Sequence, residues 1–343
     1  MAAGLKVLAP GLHTTVQDLG RPGYQAFGVP VSGALDGFSL RLANALAGNP
    51  LGTPAIEILI SGPAFEVVAD TVRVALAGAG ASLAIGPEKA RVDTGQSVTL
   101  PRDEVIEVIA GPQSACCYLA IEGGIAVPLV LGSASTYVRA ALGGLGGRAL
   151  RQDDFVPLVM ARASQRIELR LSSPMEATGD RPIRVVLGPQ QEYFTEEAVA
   201  ELLDAEFRIS RSADRMGMRL DGPLLQQSRG WDIVSDAIAT GAIQVPGSGQ
   251  PILLLADHQT TGGYPKIATV ISADLPVVGR RRSGDTLRFV AVTVEAAEEL
   301  CRAEERRLAE LAERLEPAQD RPRVDIASLY DGNLISGVVS GLD

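Results

Sequence analysis

The stretch PILLLADHQTTGGYPK, residues 251–266, decides how this chain is read. Pro251 to Ala256 form an apolar run with the length of a buried strand. That run leads straight into Asp257, His258, Gln259, Thr260 and Thr261, then through a Gly262-Gly263-Tyr264-Pro265 turn to Lys266. A polar loop held at the end of a rigid strand is where binding and catalysis concentrate. His258 is also one of only two histidines in 343 residues.

The same alternation of short apolar runs and turn chemistry extends outward from this stretch. There are 37 glycines and 21 prolines, which marks a β-rich chain with many tight turns. Expected strands cover 5–8, 55–59, 64–67, 71–77, 97–100, 105–109 and 116–121, then 183–187, 252–255, 266–271 and 286–292. Three helices interrupt them. Residues 36–47 place Phe38, Leu42, Ala45 and Leu46 on one face and stop at Gly48 and Pro50. Residues 196–203 follow Thr195 as N-cap. Residues 294–315 carry Ala297, Leu300, Leu308, Leu311 and Leu315 on one stripe and end before Pro317.

A length of 343 residues exceeds one ordinary hydrophobic core, which predicts two domains. An internal echo supports this. CYLAIEGGIAVP (117–128) parallels LLLADHQTTGGYP (253–265), and RVDTGQSVTL (91–100) parallels RRRSGDTLRFV (281–290). The reading is a first β-domain at 1–175, a second at 176–293 carrying the main site loop, and a helix with an extended tail at 294–343. The junction is the loop-like SSPMEATGDRP. In the second copy Glu122 and its neighbours are replaced by Asp257-His258-Gln259-Thr260-Thr261, so chemistry is expected mainly there.

Composition narrows the function classes. Hydrophobic content of 46% is ample for a core, and a net charge of −10 with 4% aromatics speaks against a nucleic-acid partner. The three cysteines, Cys116 and Cys117 adjacent, make no disulfide framework and fit reduced, buried thiols. No secretory segment or membrane-length apolar run is present, which points to a cytoplasmic protein. GxxxxGK[ST] is absent, so ATP is not held by a P-loop. HExxH and CxxC are absent and the two histidines lie far apart, so no metal site is expected. GxSxG is absent, which speaks against an α/β-hydrolase. Gly144 to Ala149 match GxGxxA without a flanking strand and helix and are set aside. The absence of a Met-Lys-Met signature means that this chain carries no covalent biotin.

A second dense cluster, residues 13–36 (HTTVQDLGRPGYQAFGVPVSGALD), reads as a long ordered loop. Asp18 and Arg21 either pair with each other or divide into a base and an anion clamp, unless Asp18 merely pins the loop. Asp36 either takes part or caps the following helix. In SRSADRMG (210–217) the arginines form either a solvated network or a carboxylate site. The cluster Arg280-Arg281-Arg282 reads as a solvated strand end or an anion site.

Read as strings, HTTVQDLGRPGYQAFGVPVSGALD, SADRMGMRLDGP, SDAIATGAIQVPGSGQPILLLADHQTTGGYPKIATVISADL and GRRRSGDTLRF resemble the allophanate hydrolase subunit 2 family. That family takes in 5-oxoprolinase C subunits, kinase-inhibitor antagonists and part of biotin-dependent carboxyltransferases. The resemblance runs from Leu5 to Val292. It implies a mainly β fold with a few helices, built as two tandem cyclophilin-like β-barrel domains. It also implies a partner homologous to the kinase inhibitor (the 5-oxoprolinase B-subunit or allophanate hydrolase subunit 1 type), a third 5-oxoprolinase subunit, and ATP bound by this chain or by a partner.

The implied activity is ATP-dependent hydrolysis of the lactam of 5-oxoproline to glutamate. The alternatives are a carboxyltransferase half-site taking carboxybiotin from a separate protein, and a non-catalytic antagonist binding a kinase inhibitor. By position in the shared strings, the resemblance implies Asp257, Lys266, Asp18 and Arg21 as catalytic residues. Tyr24, Gln259, Thr261 and Tyr264 are implied to bind substrate. Within that set Asp257 is read as acid or base, Lys266 and Arg21 as charge stabilisers. His258 departs from a basic residue expected at its position, and no role is assigned to it.

Overall fold

Along Thr71–Ala77 the side chains of Val72, Val74 and Leu76 alternate in facing with those of Ala75 and Ala77, and that alternation builds the first half of the molecule. The computed structural model describes residues 2–173, 175 and 179–318. Thr71–Ala77 lies inside a seven-stranded sheet ordered His13–Gln17, Ala55–Leu59, Cys116–Ile121, Thr71–Ala77, Gln96–Pro101, Leu169–Arg170 and Glu316–Pro317. Val72, Val74 and Leu76 face a second sheet of six strands, where they join Leu5, Phe65 and Ile106 in one core. Ala75 and Ala77 face the opposite way, against α1 (Gly37–Ala47). Small residues there let the helix approach closely, and Phe38, Leu42 and Leu46 fill the space. Cys116–Ile121 repeats the pattern: Cys117, Leu119 and Ile121 face the inter-sheet core, while Cys116, Tyr118 and Ala120 face α1.

The second half is an eight-stranded sheet ordered Thr286–Leu287, Phe207–Ala213, Gly217–Asp221, Ile252–Leu254, Ala242–Gln244, Lys266–Val270, Ile183–Leu187 and Phe289–Ala291. Its two edge strands are consecutive pieces of one segment. Thr286–Leu287 pairs with Phe207–Ala213, and two residues later Phe289–Ala291 pairs in parallel with Ile183–Leu187. The sheet therefore curls back on itself into a nearly closed barrel. Its interior holds Ile183, Phe207, Leu220, Ile243, Leu253 and Ile267, with Leu202 of α2 (Glu196–Asp204) packed on it. The short α3 (Leu275–Gly279) and the long α4 (Val294–Glu313) complete the helices. α4 returns to the first half, burying Leu308 beside Phe38 and pairing Glu305 with Arg41 at 2.6 Å.

The fold is mainly β with few helices. Two local expectations need correction. His13–Gln17 is a strand, because Thr14, Thr15, Val16 and Gln17 are buried in register with Ala55–Leu59; the ordered loop starts at Asp18. The run expected at 286–292 breaks at Arg288, where the segment changes edges. Of the two readings of the arginines in 210–217, Arg215 follows the carboxylate one, buried between Glu57 and Asp257. Pro174 and residues 176–178 of the expected junction, and all but Ala318 of the expected tail from 318, lie outside the described residues.

Asp36 shows why the halves stay in register. Its Oδ1 caps α1 at the Ser39 amide, 2.9 Å away, and its Oδ2 receives Nε of Arg280 at 2.5 Å. The amide of Ala115 also donates to the Arg280 carbonyl at 2.7 Å.

Candidate active site

The strand Ile252–Leu254 ends just before Asp257, whose amide donates to the carbonyl of Arg215 at 2.8 Å. Arg215 occupies the turn between Phe207–Ala213 and Gly217–Asp221, and its guanidinium reaches inward. Nε donates to Asp257 Oδ2 at 2.8 Å, and Nη2 to Asp257 Oδ1 at 3.1 Å and to the Gly33 carbonyl at 2.6 Å. Nη1 reaches Glu57 of the first half. Burial disfavours the charge on Arg215, but the carboxylates of Glu57 and Asp257 outweigh it and raise its pKa. Glu57 in turn accepts from the Leu35 amide at 2.9 Å and the Tyr118 hydroxyl at 2.6 Å. Asp257 also accepts the Ser32 hydroxyl, and the Ser32 amide donates to the Ala256 carbonyl at 3.1 Å. The two polar loops singled out in the sequence therefore meet at Ser32 and Asp257.

The first loop is tied down by Asp18. Its carboxylate accepts the hydroxyls of Ser133 (2.6 Å) and Ser135 (2.5 Å) and the amides of Gly20 (2.8 Å) and Ala134 (2.6 Å). Arg21 is 1% exposed; Nη2 donates to the Ser135 carbonyl, and Nη1 has no partner among the described residues. Burial lowers the pKa of Arg21, against the opposing charges of Asp18 and Asp257. Tyr24 is half-buried at the start of the short turn Gln25–Phe27.

Lys266 stands apart from Asp257. Its side chain is buried and its Nζ lies 3.2 Å from Oδ2 of Asp236, a half-exposed carboxylate. The hydrogen bond from Lys266 lowers the Asp236 pKa and holds it as the anion. Thr261–Gly262 pairs with Asp236–Ala237, and Tyr264 lies against Trp231 with ring centroids 6.3 Å apart. Lys266 is the cross-strand partner of Gln244, so both side chains lie on the outer face of the barrel. On that face a cavity of about 400 Å³ is lined by Gln244 and by Gln259 of the 251–266 stretch. Three groups of expected residues thus emerge: Asp257 beside Arg21 and Asp18 underneath, Gln259 at the cavity, and Lys266, Thr261 and Tyr264 beside Asp236.

His258 is buried with Nδ1 at 2.6 Å from the Gln259 carbonyl and Nε2 at 3.1 Å from the Thr240 hydroxyl. A carbonyl only accepts, so Nδ1 carries the proton and Nε2 accepts from Thr240. Burial lowers its pKa and keeps it neutral.

Sequence reasoning missed Glu57, Ser32, Asp236 and Gln244. A Glu inside the apolar run 55–59 was the available signal for Glu57, because an unpaired carboxylate is not left in a core. Among the described residues no group of three or more His, Cys, Asp or Glu side chains is placed to hold a metal.

The family model for the carboxyltransferase domain, subdomains A and B, matches residues 27–291. The 5-oxoprolinase C subunit of Escherichia coli (strain K12) is 35% identical over 317 residues, which cover 91% of this chain and 98% of that one. The urea amidolyase of Saccharomyces cerevisiae is 31% identical over 318 residues, 86% of this chain but 17% of that protein. The crystal structure of Kluyveromyces lactis urea carboxylase superposes with a TM-score of 0.81 at 28% identity, covering 90% of this chain and 29% of that one. Ser32 and Asp257, where the two loops meet, both lie within the matched span, and the chain belongs to the carboxyltransferase domain family, subdomains A and B.

Proposed function

We propose that this chain is the C subunit of an ATP-dependent 5-oxoprolinase, hydrolysing the lactam of 5-oxoproline to glutamate together with partner subunits. The observation that carries this reading is the 35% identity to the E. coli 5-oxoprolinase C subunit across 98% of that chain. The partners are a B subunit of the kinase-inhibitor-homologue type and a third subunit.

Opening a lactam needs charge stabilisation at the carbonyl oxygen and a group that takes up a proton. Lys266 and Asp236 supply an ammonium and an ionised carboxylate next to the cavity of Gln244 and Gln259. Asp257, Arg215 and Ser32 hold the loop that carries Gln259, and Arg21 and Asp18 hold the loop beneath it. Thr261 and Tyr264 stand beside the Asp236–Ala237 strand and Trp231 as orienting groups, and Tyr24 is kept as a substrate-binding residue on the first loop. None of the N-termini of α1, α2 and α4 is open to a phosphate. α1 is already capped by Asp36 with Arg280, and α2 and α4 are capped by Thr195 and Thr293 with glutamates in their first turns. ATP is therefore assigned to a partner subunit, and no step here runs through it.

The test is co-purification with the two partner subunits and assay of glutamate from 5-oxoproline and ATP. Glutamate formation supports the reading; its absence from the full set, with turnover of another amide, overturns it. The TM-score of 0.81 to a urea carboxylase favours a second reading, carboxylate transfer from carboxybiotin on a separate protein. Carboxybiotin-dependent activity without the third subunit would establish that one instead.

A further inference from the structure

The cavity on the outer face of the barrel carries an unspent recognition pattern. Gln244 is 5% exposed, yet its Oε1 has no hydrogen-bond partner among the described residues. A buried amide oxygen left bare costs about 1–3 kcal/mol, which a ligand N–H would recover. The hairpin of Phe207–Ala213 and Gly217–Asp221 places Arg211 and Arg219 on the lining of the same cavity. Both are exposed, and neither side chain is hydrogen-bonded or ion-paired among the described residues. Asp214, also on the lining, is committed through Oδ1 to the amides of Met216 (2.7 Å) and Gly217 (3.2 Å). Between the arginines and Gln244 the wall is apolar, formed by Ile252 and Leu254, with the Gln259 amide at the rim.

We propose that this cavity binds a small carboxylate that also bears an amide N–H across a short hydrocarbon spacer. The carboxylate is held by Arg211 and Arg219, whose forked donors suit its two oxygens. The amide N–H donates to Gln244 Oε1, and the hydrocarbon rests on Ile252 and Leu254. Gln244 is paired in register with Lys266, so an amide held on Gln244 presents its carbonyl toward the Lys266–Asp236 pair. This assigns specificity to Arg219 and Gln244, which the sequence did not single out, and takes the carboxylate-site reading for Arg211. It rests on the proposed function for the choice of probe, L-5-oxoproline, and not for the existence of the site.

The experiment measures binding to the full chain and to its complex with the partner subunits by calorimetry. The probes are L-5-oxoproline and 2-pyrrolidinone, the same lactam without its carboxylate. The expected result is at least tenfold tighter binding of L-5-oxoproline, a preference abolished in the R211A/R219A double variant. Gln244→Leu should weaken both lactams. Arg211 and Arg219 are exposed, so the double variant tests the site even where a change at buried Gln244 disturbs folding. In the assembled enzyme the double variant should raise KM at least tenfold with kcat within about twofold.

Equal binding of the two lactams, no binding of either, or an unchanged KM in the double variant would overturn the site. An unchanged KM with glutamate still formed leaves the proposed function standing. Carboxylate-dependent binding in a complex that forms no glutamate removes that function and keeps the site.

Discussion

Nε of Arg215 lies 2.8 Å from Oδ2 of Asp257, and both side chains are more than nine-tenths buried. The same guanidinium holds Glu57 of the other half of the molecule, so one cation serves two buried carboxylates. Removing Asp257 leaves Arg215 balanced by Glu57 but takes the buried acceptor from its Nε–H and from the Ser32 hydroxyl. Asp257→Ala should destabilise the protein by about 2 kcal/mol or more, seen as a lower urea midpoint. A midpoint unchanged from wild type would show that the triad contributes nothing to the fold.

Lys266 should behave differently, because its partner Asp236 is half-exposed and stays solvated when the ammonium is lost. Lys266→Met should lower kcat for glutamate formation by about 10²-fold, the scale of losing one charge-stabilising group. Its urea midpoint should fall less than that of Asp257→Ala. Near-normal kcat would remove Lys266 from the chemistry.

Asp36 allows the cap to be separated from the clamp. Asparagine is as good an N-cap as aspartate, so Asp36→Asn keeps the bond to the Ser39 amide. It loses the charge that faces Arg280 across the two halves. Asp36→Asn should cost about 3 kcal/mol through the stranded guanidinium. Asp36→Ala should cost about 1 kcal/mol more. Equal stability of wild type and Asp36→Asn in urea denaturation would show that the clamp is energetically silent.

His258 gives a pH dependence with a definite sign. Burial lowers its pKa in the fold, whereas the unfolded chain protonates near the ordinary value of about 6.5. Below that pH the unfolded state binds a proton that the folded state refuses, so stability falls as pH drops through about 6.5 and levels off at the folded pKa. His258→Gln should flatten the change between about pH 7.5 and 5.8 in urea midpoints. An identical slope in the variant would contradict this assignment.

The cysteines should divide by environment. Burial raises the pKa of Cys117 to about 12 and pushes that of Cys116 up as well, while Cys301 on α4 is half-buried. A thiol-disulfide reagent at pH 8 should therefore label one thiol in the folded protein and all three in denaturant, because the thiolate is the reacting form. Rapid labelling of Cys116 or Cys117 in the folded state would show that the α1 face opens.

Much of the β framework was written locally. The runs 55–59, 64–67, 71–77, 105–109, 116–121 and 183–187 became strands with those bounds, because period-two patterning and turn residues act over a few positions. Thr195 caps its helix as expected, and Asp36 takes the cap, one of its two readings, for the same local reason. At the two strand ends that echo each other, Glu122 holds Arg73 at 2.8 Å and Asp257 holds Arg215 at 2.8 Å.

By itself the sequence determined where many of the strands run, where α1 and α2 begin, and that residues 251–266 form a polar loop after a buried run. Tertiary structure alone decided that Arg215 is buried between Glu57 and Asp257, that Lys266 faces Asp236, and that Gln244 lines a cavity with its Oε1 unpartnered among the described residues. The reason is separation along the chain. Arg215 and Glu57 lie 158 residues apart, and no local propensity encodes a charge pair that forms only when two cores dock.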